Sequence, residues 1–281
     1  MQINVYQGKV FLFLEILFSF MAVRKFSYEF DGVSYYRFSV YRLGSNVQTV
    51  YTFVLDDVLI DTAQSHNREN ILHVAQKHDI KKIILTHHHE DHSGNVGFLI
   101  DELKIDAYAH PETVRLLKRG LKLSPLAKLL SGSVGHAHLL PLTENSIIHT
   151  ANYNLQAIYT PGHCKDHYCY YEANKGWLFS GDLYVADKIK YFAKFESLLT
   201  QIESLKKLIA LDFDVLFCSH NPKTKDGKQR LKNKLQFFED FAGTVTTLYN
   251  QGHNARQIFA LMGMKENYVN KYLTFGAFCS E

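Results

Sequence analysis

Thr86–Gly94 reads THHHEDHSG, and its chemistry organises the rest of the chain. The stretch follows the apolar run Ile83-Ile84-Leu85, so the cluster stands where a buried strand runs out into a loop. Four of its nine residues are histidine, and Glu90 and Asp91 add two carboxylates. Imidazole and carboxylate are ligands that zinc, manganese and ferrous iron all accept. In extended backbone alternate side chains share a direction, so His87 and His89 can face one metal while His88 points elsewhere. Asp91 and His92 are neighbours and can turn towards a second position beside the first. The His-x-His-x-Asp-His pattern suits two metals better than one. A solvated histidine-rich loop is the plain alternative, and the rest of the chain weighs against it.

Upstream, Val33 to Tyr41, Gln48 to Leu55 and Val58 to Ile60 are rich in aromatic and β-branched residues and predict strands joined by short turns. The last of them ends in VLIDTA, which sets Asp61 at the mouth of a hydrophobic strand. Asn67 to His78 has helical periodicity through Ile71, Leu72 and Ala75 and leads back to the strand at Ile83. This strand–helix–strand order predicts an α/β layered fold, with the histidine loop at the C-terminal end of its strand, where such folds place their chemistry. Downstream, Val96 to Leu103 and Pro111 to Gly120 read as helices on either side of a short strand at Ile105 to Ala109, with Pro111 in the first helical turn. Leu121 to His138 predicts a short helix and a loop. Its His136 and His138 repeat an H-x-H pair with no carboxylate after them, so they read as loop histidines, with the lining of a substrate entrance as the alternative.

The second half adds further donors one at a time. Leu155 to Tyr159 reads as a strand followed by TPGHCKDH, where a Pro-Gly turn can hold His163 at a fixed angle. Tyr168 to Glu172 and Trp177 to Phe179 read as a hairpin that runs into Ser180-Gly181-Asp182. Val215 to Cys218 is a further strand and ends in Ser219-His220-Asn221. Donors at successive strand ends are a recurrence that solvated histidines do not require.

The bulk properties frame these motifs. With 281 residues the chain can bury a full core, and its net charge of +3 is too weak to argue for a nucleic-acid or membrane partner. Cys164, Cys169, Cys218 and Cys279 form no CxxC pair, which fits a reducing compartment and hence the cytoplasm. Val10 to Ala22 is apolar but too short and interrupted for a stable membrane span. It reads as an extension ahead of a second start at Met21, with a signal peptide as the open alternative. The expected organisation is an N-terminal extension over 1–25, a catalytic domain over 26–225, and C-terminal helices over 226–281. In that tail Leu231, Leu235, Phe238 and Phe241 recur near helical spacing, Asn254 can cap Ala255 to Met262, and Val269, Tyr272 and Leu273 mark a last amphipathic stretch. These helices either wall the pocket or form a homodimer contact.

Taken together, LIDTA, THHHEDHSG, TPGH, FSGD and SHN resemble, in order, the motifs of the metallo-β-lactamase-fold hydrolases. The resemblance covers roughly Phe26 to Lys234. It implies a four-layer αββα sandwich of two similar halves, with metals at the sheet edges and the C-terminal helices as an extension. It also implies that His87, His89 and His163 hold one metal, that Asp91, His92 and His220 hold a second, and that Asp182 bridges both while Asp61 supports the site. Two divalent ions roughly 3.5–4 Å apart can share a water and hold it as a bridging hydroxide nucleophile, with zinc as the first choice and iron or manganese also suited. Asp91 is then the candidate catalytic residue that orients this water and shuttles its proton. Asp166 and His167 read as partners that fix imidazole orientation, or as a surface turn.

Departures from family patterns narrow the substrate. Asp182 stands where cysteine-type β-lactamases carry Cys and where the three-histidine type lacks a bridging carboxylate, which argues against antibiotic hydrolysis. His220 follows Asp182 by 38 positions, too few for the inserted domain of RNA-cleaving members. Flavin-linked members carry Glu in place of His89. The ligand set is nearest to hydroxyacylglutathione hydrolase (glyoxalase II), although GDLYVADKIKYF and SHNPKTKDGK do not resemble that family's basic glutathione-binding segments. The expected activity is metal-dependent hydrolysis of an ester-like bond in a small molecule, a thioester or lactone first. A phosphodiesterase or RNase of the same fold and a mononuclear iron persulfide dioxygenase are the alternatives. Tyr184, Lys188, Tyr191 and Lys223 are the expected substrate-side residues. Lys223, Lys225, Lys228, Arg230, Lys232 and Lys234 form a basic run that reads as a solvated helix face or as a patch steering an anion such as RNA, which is the less favoured partner.

Overall fold

The computed structural model describes residues 21–189, 193 and 195–264. Strands β1 (Met21–Phe30), β2 (Val33–Arg42), β3 (Ser45–Leu55) and β4 (Val58–Ile60) form an antiparallel meander. Helix α1 (Arg68–Lys77) then returns the chain so that β5 (Lys82–Ile84) lies parallel to β4. The short α2 (Glu90–Ser93) and α3 (Val96–Leu103) lead to β6 (Asp106–Ala109), again parallel. Helices α4 (Pro111–Leu117) and α5 (Pro125–Ser131) precede β7 (Leu140–Pro141), which completes a seven-stranded sheet in sequential order. A second sheet, in the order β12-β11-β10-β9-β8, is built from β8 (Ile147–His149), β9 (Asn154–Tyr159), β10 (Tyr168–Glu172), β11 (Trp177–Gly181) and β12 (Val215–Cys218). Helix α6 (Leu198–Ile209) crosses between β11 and β12 and makes that pair parallel. Helices α7 (Gly227–Asn250) and α8 (Ala255–Leu261) follow.

Strand alternation divides the buried side chains among three cores. Phe53, Ile60 and Ile84 from the first sheet meet Tyr170, Trp177, Phe179 and Phe217 from the second, which forms the central core. Their neighbours Val54, Leu59 and Ile83 face the other way, onto Ile71 and Val74 of α1 and Leu99 of α3. On the far side Leu178, Leu216 and Cys218 face Leu205 and Leu208 of α6 and Leu231 and Phe238 of α7. The layers are therefore helix, sheet, sheet, helix, the αββα sandwich expected from the motifs. Each fully buried Phe or Leu contributes about 1.5–3 kcal/mol to holding these layers together.

Several expectations shift. Met21 to Lys25, part of the extension over 1–25 that was expected to pack loosely or lie outside the domain, pair with Arg42 to Phe38 in the first half of β1. The reason is register: β2 continues to Arg42, and its backbone groups beyond Phe38 take partners from β1. No element was read between Asp182 and Val215, yet α6 lies there with Ile202, Leu205 and Leu208 buried at helical spacing. Residues 1–20, Tyr191, Cys279 and the stretch from Val269 to Leu273 lie outside the described residues.

Candidate metal centre

Parallel pairing brings the motif-bearing strand ends to one edge of the sandwich. Ile60 stands opposite Ile84, so Asp61 and Thr86 leave their strands side by side; Gly181 stands opposite Cys218, so Asp182 and His220 do the same. Two hydrogen bonds stitch the sheets together at this edge, from Tyr168 N–H to the Thr86 carbonyl at 2.8 Å and from Tyr51 N–H to the Ser219 carbonyl at 2.7 Å.

Side-chain donors converge there. His87 Nε2 lies 3.0 Å from His89 Nδ1, which lies 3.1 Å from His163 Nε2. Asp91, His92 and His220 form a second group, with both His92 Nε2 and His220 Nε2 at 3.6 Å from Asp91 oxygens. Asp182 lies between the groups. Its Oδ2 is 3.2 Å from His220 Nε2 and 3.7 Å from His163 Nε2, while Oδ1 is 3.4 Å from His92 Nε2.

The outer nitrogens of four of these five rings are already engaged. His87 Nδ1 meets Thr86 Oγ1 at 3.0 Å, His92 Nδ1 meets Asp61 at 2.8 Å, His163 Nδ1 meets Glu196 at 2.9 Å, and His220 Nδ1 donates to the Thr49 carbonyl at 2.6 Å. With a proton on each outer nitrogen, the inner nitrogens carry lone pairs, as metal ligation requires. His92 Nε2 and Asp182 Oδ1 are buried without a hydrogen-bond partner among the described residues. Buried polar atoms are rarely left so, and both point into the shared space, which fits a cation there. The electrostatics agree. Burial and the neighbouring imidazoles hold His87 and His89 well below the usual histidine range. Burial works against charge on His220, yet Asp182 and Asp91 push it up to about 9; on His92, Asp182, Asp91 and Asp61 likewise overcome burial. A space that draws protons onto two imidazoles is one that favours a divalent cation in their place.

Supporting groups are built into the strand ends. Asp61 takes a left-handed backbone, φ 61°, which costs a non-glycine residue about 1–3 kcal/mol. In return its carboxylate accepts the Thr86 N–H and hydroxyl, both at 2.8 Å, as well as His92 Nδ1–H. Asp166 is buried rather than on a surface turn, and its carboxylate accepts from the His88 N–H, the His88 ring and Thr113 Oγ1. His88, Cys164 and Asp166 approach one another closely, but these bonds already occupy the carboxylate, so the cluster clamps the loop instead of offering a further metal position. His167 fixes backbone where an imidazole partner was expected: its Nδ1 meets Thr160 Oγ1 at 2.9 Å and its Nε2 accepts the Asp182 N–H at 3.1 Å. Burial and His163 lower its pKa to about 3, so it stays a neutral acceptor. A Cβ on Gly181, at φ +49°, would meet His167 Nε2 at 2.6 Å, so this contact needs glycine.

The substrate-side expectations fare less evenly. Tyr184 is a core residue in the third cluster: its ring is buried and its hydroxyl donates to Asp187 at 2.6 Å, because the chain turns inward directly after Asp182. Lys188 is exposed, and Lys223 Nζ donates to Asn221 at 2.8 Å beside His220. The basic run is not one face. Lys234 is buried and donates to the Leu183 carbonyl, and Arg230 pairs with Asp187 at 3.1 Å. Two groups lay outside every motif: Glu196, against His163, and Phe195, whose ring lies edge-on to His89 at 5.2 Å and His163 at 6.1 Å with 38% of its surface exposed. Spacing offered no signal for either.

Comparison with known proteins gives the family. The family model described as "Metallo-beta-lactamase superfamily" matches residues 47–220, from β3 to the last candidate ligand. The chain belongs to that superfamily. Among curated superfamily relatives, a Beta-lactamase-like protein 2 homolog of Drosophila melanogaster is 29% identical over 197 residues, 64% of each chain. A Hydroxyacylglutathione hydrolase of Legionella pneumophila is 28% identical over 126 residues, 44% of this chain and 42% of that one. The chain thus spans between about two-fifths and two-thirds of these relatives' length. Among solved structures of this fold, TTHA1623 in a di-iron-bound form superposes with a TM-score of 0.54 at 25% identity, covering 64% of this chain and 91% of its own. No helix among the described residues is long and apolar enough to cross a membrane.

Proposed function

We propose that the chain is a metal-dependent hydrolase with a dinuclear centre that cleaves an ester-like bond in a small molecule, a thioester or lactone in first place. The observation that carries this reading is the position of Asp182, whose carboxylate faces His163, His220 and His92 at once. His87, His89 and His163 would hold one divalent ion, Asp91, His92 and His220 the other, and Asp182 both. When bound, the two ions would supply Lewis acidity that lowers the pKa of water towards neutrality and polarises the substrate carbonyl. Asp91 faces the same space and serves to orient a water and accept its proton. Thr86 and Asp61 keep His87 and His92 in register during this transfer, and His167 holds the backbone of Asp182.

Phe195 offers an apolar surface next to His89 and His163, which suits an acyl or leaving group better than a phosphate backbone. The division of the basic run between a buried Lys234 and a paired Arg230 favours the same choice over RNA. The relative named Hydroxyacylglutathione hydrolase supports a thioester, and the di-iron form of TTHA1623 keeps iron beside zinc as the metal. Buried free thiols at Cys164, Cys169 and Cys218 fit a reducing, cytoplasmic setting.

Elemental analysis of protein purified without chelators, with a panel of thioesters, lactones, phosphodiesters and short RNA, tests the reading. The expected result is about two metals per chain and turnover of one ester class. Asp182→Ala should lower that turnover by about a thousandfold or more while the far-UV spectrum is kept. Full activity in an Asp182→Ala/His89→Ala double variant, or one iron per chain with oxygen uptake and no hydrolysis, would overturn it.

A further inference from the structure

We propose that Glu196 is a positioning residue for the first metal group, acting through His163, and that it supplies negative charge which that group otherwise lacks. The inference rests on the dinuclear reading above. Glu196 Oε1 lies 2.9 Å from His163 Nδ1, and Oε2 accepts the Ala193 N–H at 2.8 Å. With both oxygens engaged, the direction of the carboxylate is set before any metal arrives. Nδ1–H donates to it, and Nε2 keeps its lone pair towards His89 Nδ1, 3.1 Å away. A carboxylate in this position fixes the tautomer and raises the basicity of the ligating nitrogen.

Charge makes the contact matter. His87, His89 and His163 are neutral as ligands, so the dication they would hold is offset by Asp182, which it shares with the second group. The second group has Asp91 of its own and the Asp61 carboxylate behind His92 at 2.8 Å. Glu196 gives the first group an equivalent carboxylate behind one imidazole. The side chains of His163 and Glu196 are only 12% and 14% exposed, so solvent screens the pair weakly.

The backbone is arranged to bring the two together. Glu196 N–H closes on the Ala193 carbonyl at 3.0 Å, and Ser197 N–H donates to the Gly162 carbonyl at 2.8 Å. The segment ahead of α6 is thereby docked on the turn that carries His163. Gly162 has φ +129°, and a Cβ there would meet Gln201 N at 2.5 Å, so the turn approaches α6 this closely because it has no side chain.

Zinc titration of the metal-stripped 281-residue chain against a chromophoric chelator is the test, with wild type, Glu196→Ala and Glu196→Gln compared. Two binding steps in wild type speak to the dinuclear reading by themselves. In Glu196→Ala one step should weaken by about 10- to 100-fold and the other stay in place. Glu196→Gln keeps an acceptor for Nδ1–H but no charge, and should fall between the two. Melting of the metal-free Gln variant should match wild type, which separates metal positioning from a merely structural role. Both steps unchanged within about twofold in the two variants, set against the loss a ligand partner should cause, would overturn the role of Glu196 and leave the dinuclear reading standing. A wild type without measurable metal binding would sink both.

Discussion

Asp61 shows how much one residue can hold at this edge. It leaves β4 in a left-handed backbone conformation and accepts from Thr86 twice and from His92 once, all within about 2.8 Å and with no side-chain exposure. Removing it leaves a buried imidazole and a buried hydroxyl without their acceptor. Asp61→Ala should therefore cost about 3–5 kcal/mol in urea unfolding of the metal-stripped protein, and a loss below about 1 kcal/mol would show that these bonds contribute little to the fold. The seven candidate ligands were legible at this scale because their spacing reveals strand ends. Glu196 was not, since FAKFESLL contains no motif and the residue reaches His163 only after the chain has folded back. The Thr49 carbonyl behind His220 was equally hidden, because a backbone acceptor carries no side-chain identity.

Among the elements, α7 departs most from its reading as a basic helix. Lys234, on its buried face, donates to the Leu183 carbonyl directly after Asp182, and burial pushes its pKa down to about 8. A lysine whose folded pKa lies below its unfolded value of about 10.4 destabilises the fold while it is charged. Between these two values the unfolded chain holds the extra proton, so stability rises with pH across that window. Buried thiols oppose this above pH 9, since burial raises Cys169 and Cys218 to about 12 and the unfolded thiols ionise first. The clean quantity is the stability difference between wild type and Lys234→Met, in which the thiols cancel. It should move in favour of wild type by up to about 3 kcal/mol from pH 8 to 10.5, and a flat difference would contradict a strained Lys234. Periodicity in the sequence identified the helix through Leu231 and Phe238, but which lysine turned inward depended on where α6 packed against it.

At the scale of the whole molecule, the candidate ligands come from both sheets. His87, His89, Asp91 and His92 follow the first sheet's β5, while His163, Asp182 and His220 follow strands of the second. A cation held among them cross-links the two halves across the central core. Free zinc at about a hundred times its dissociation constant should stabilise the protein by about 2.7 kcal/mol, and so raise its melting temperature by about 5–10 °C over chelator-treated protein. Calorimetry reads this directly, and no shift would mean that the donors do not act together. The edge itself depends on the stitches from Tyr168 to Thr86 and from Tyr51 to Ser219, which lock the sheets where the ligands leave them.

The sequence by itself determined the α/β layering, the order of the motifs and the donors at the strand ends, because strand alternation and ligand spacing are local patterns that survive without a partner. Only the tertiary structure decided which nitrogen of each histidine faces inward, that Tyr184 and Lys234 belong to the core, and that Glu196 stands behind His163. The ring orientations depend on Thr86, Asp61 and the Thr49 carbonyl, and the core places of Tyr184 and Lys234 and the reach of Glu196 on the packing of α6 and α7 against the second sheet. Contacts between segments so far apart along the chain leave no periodic trace in it.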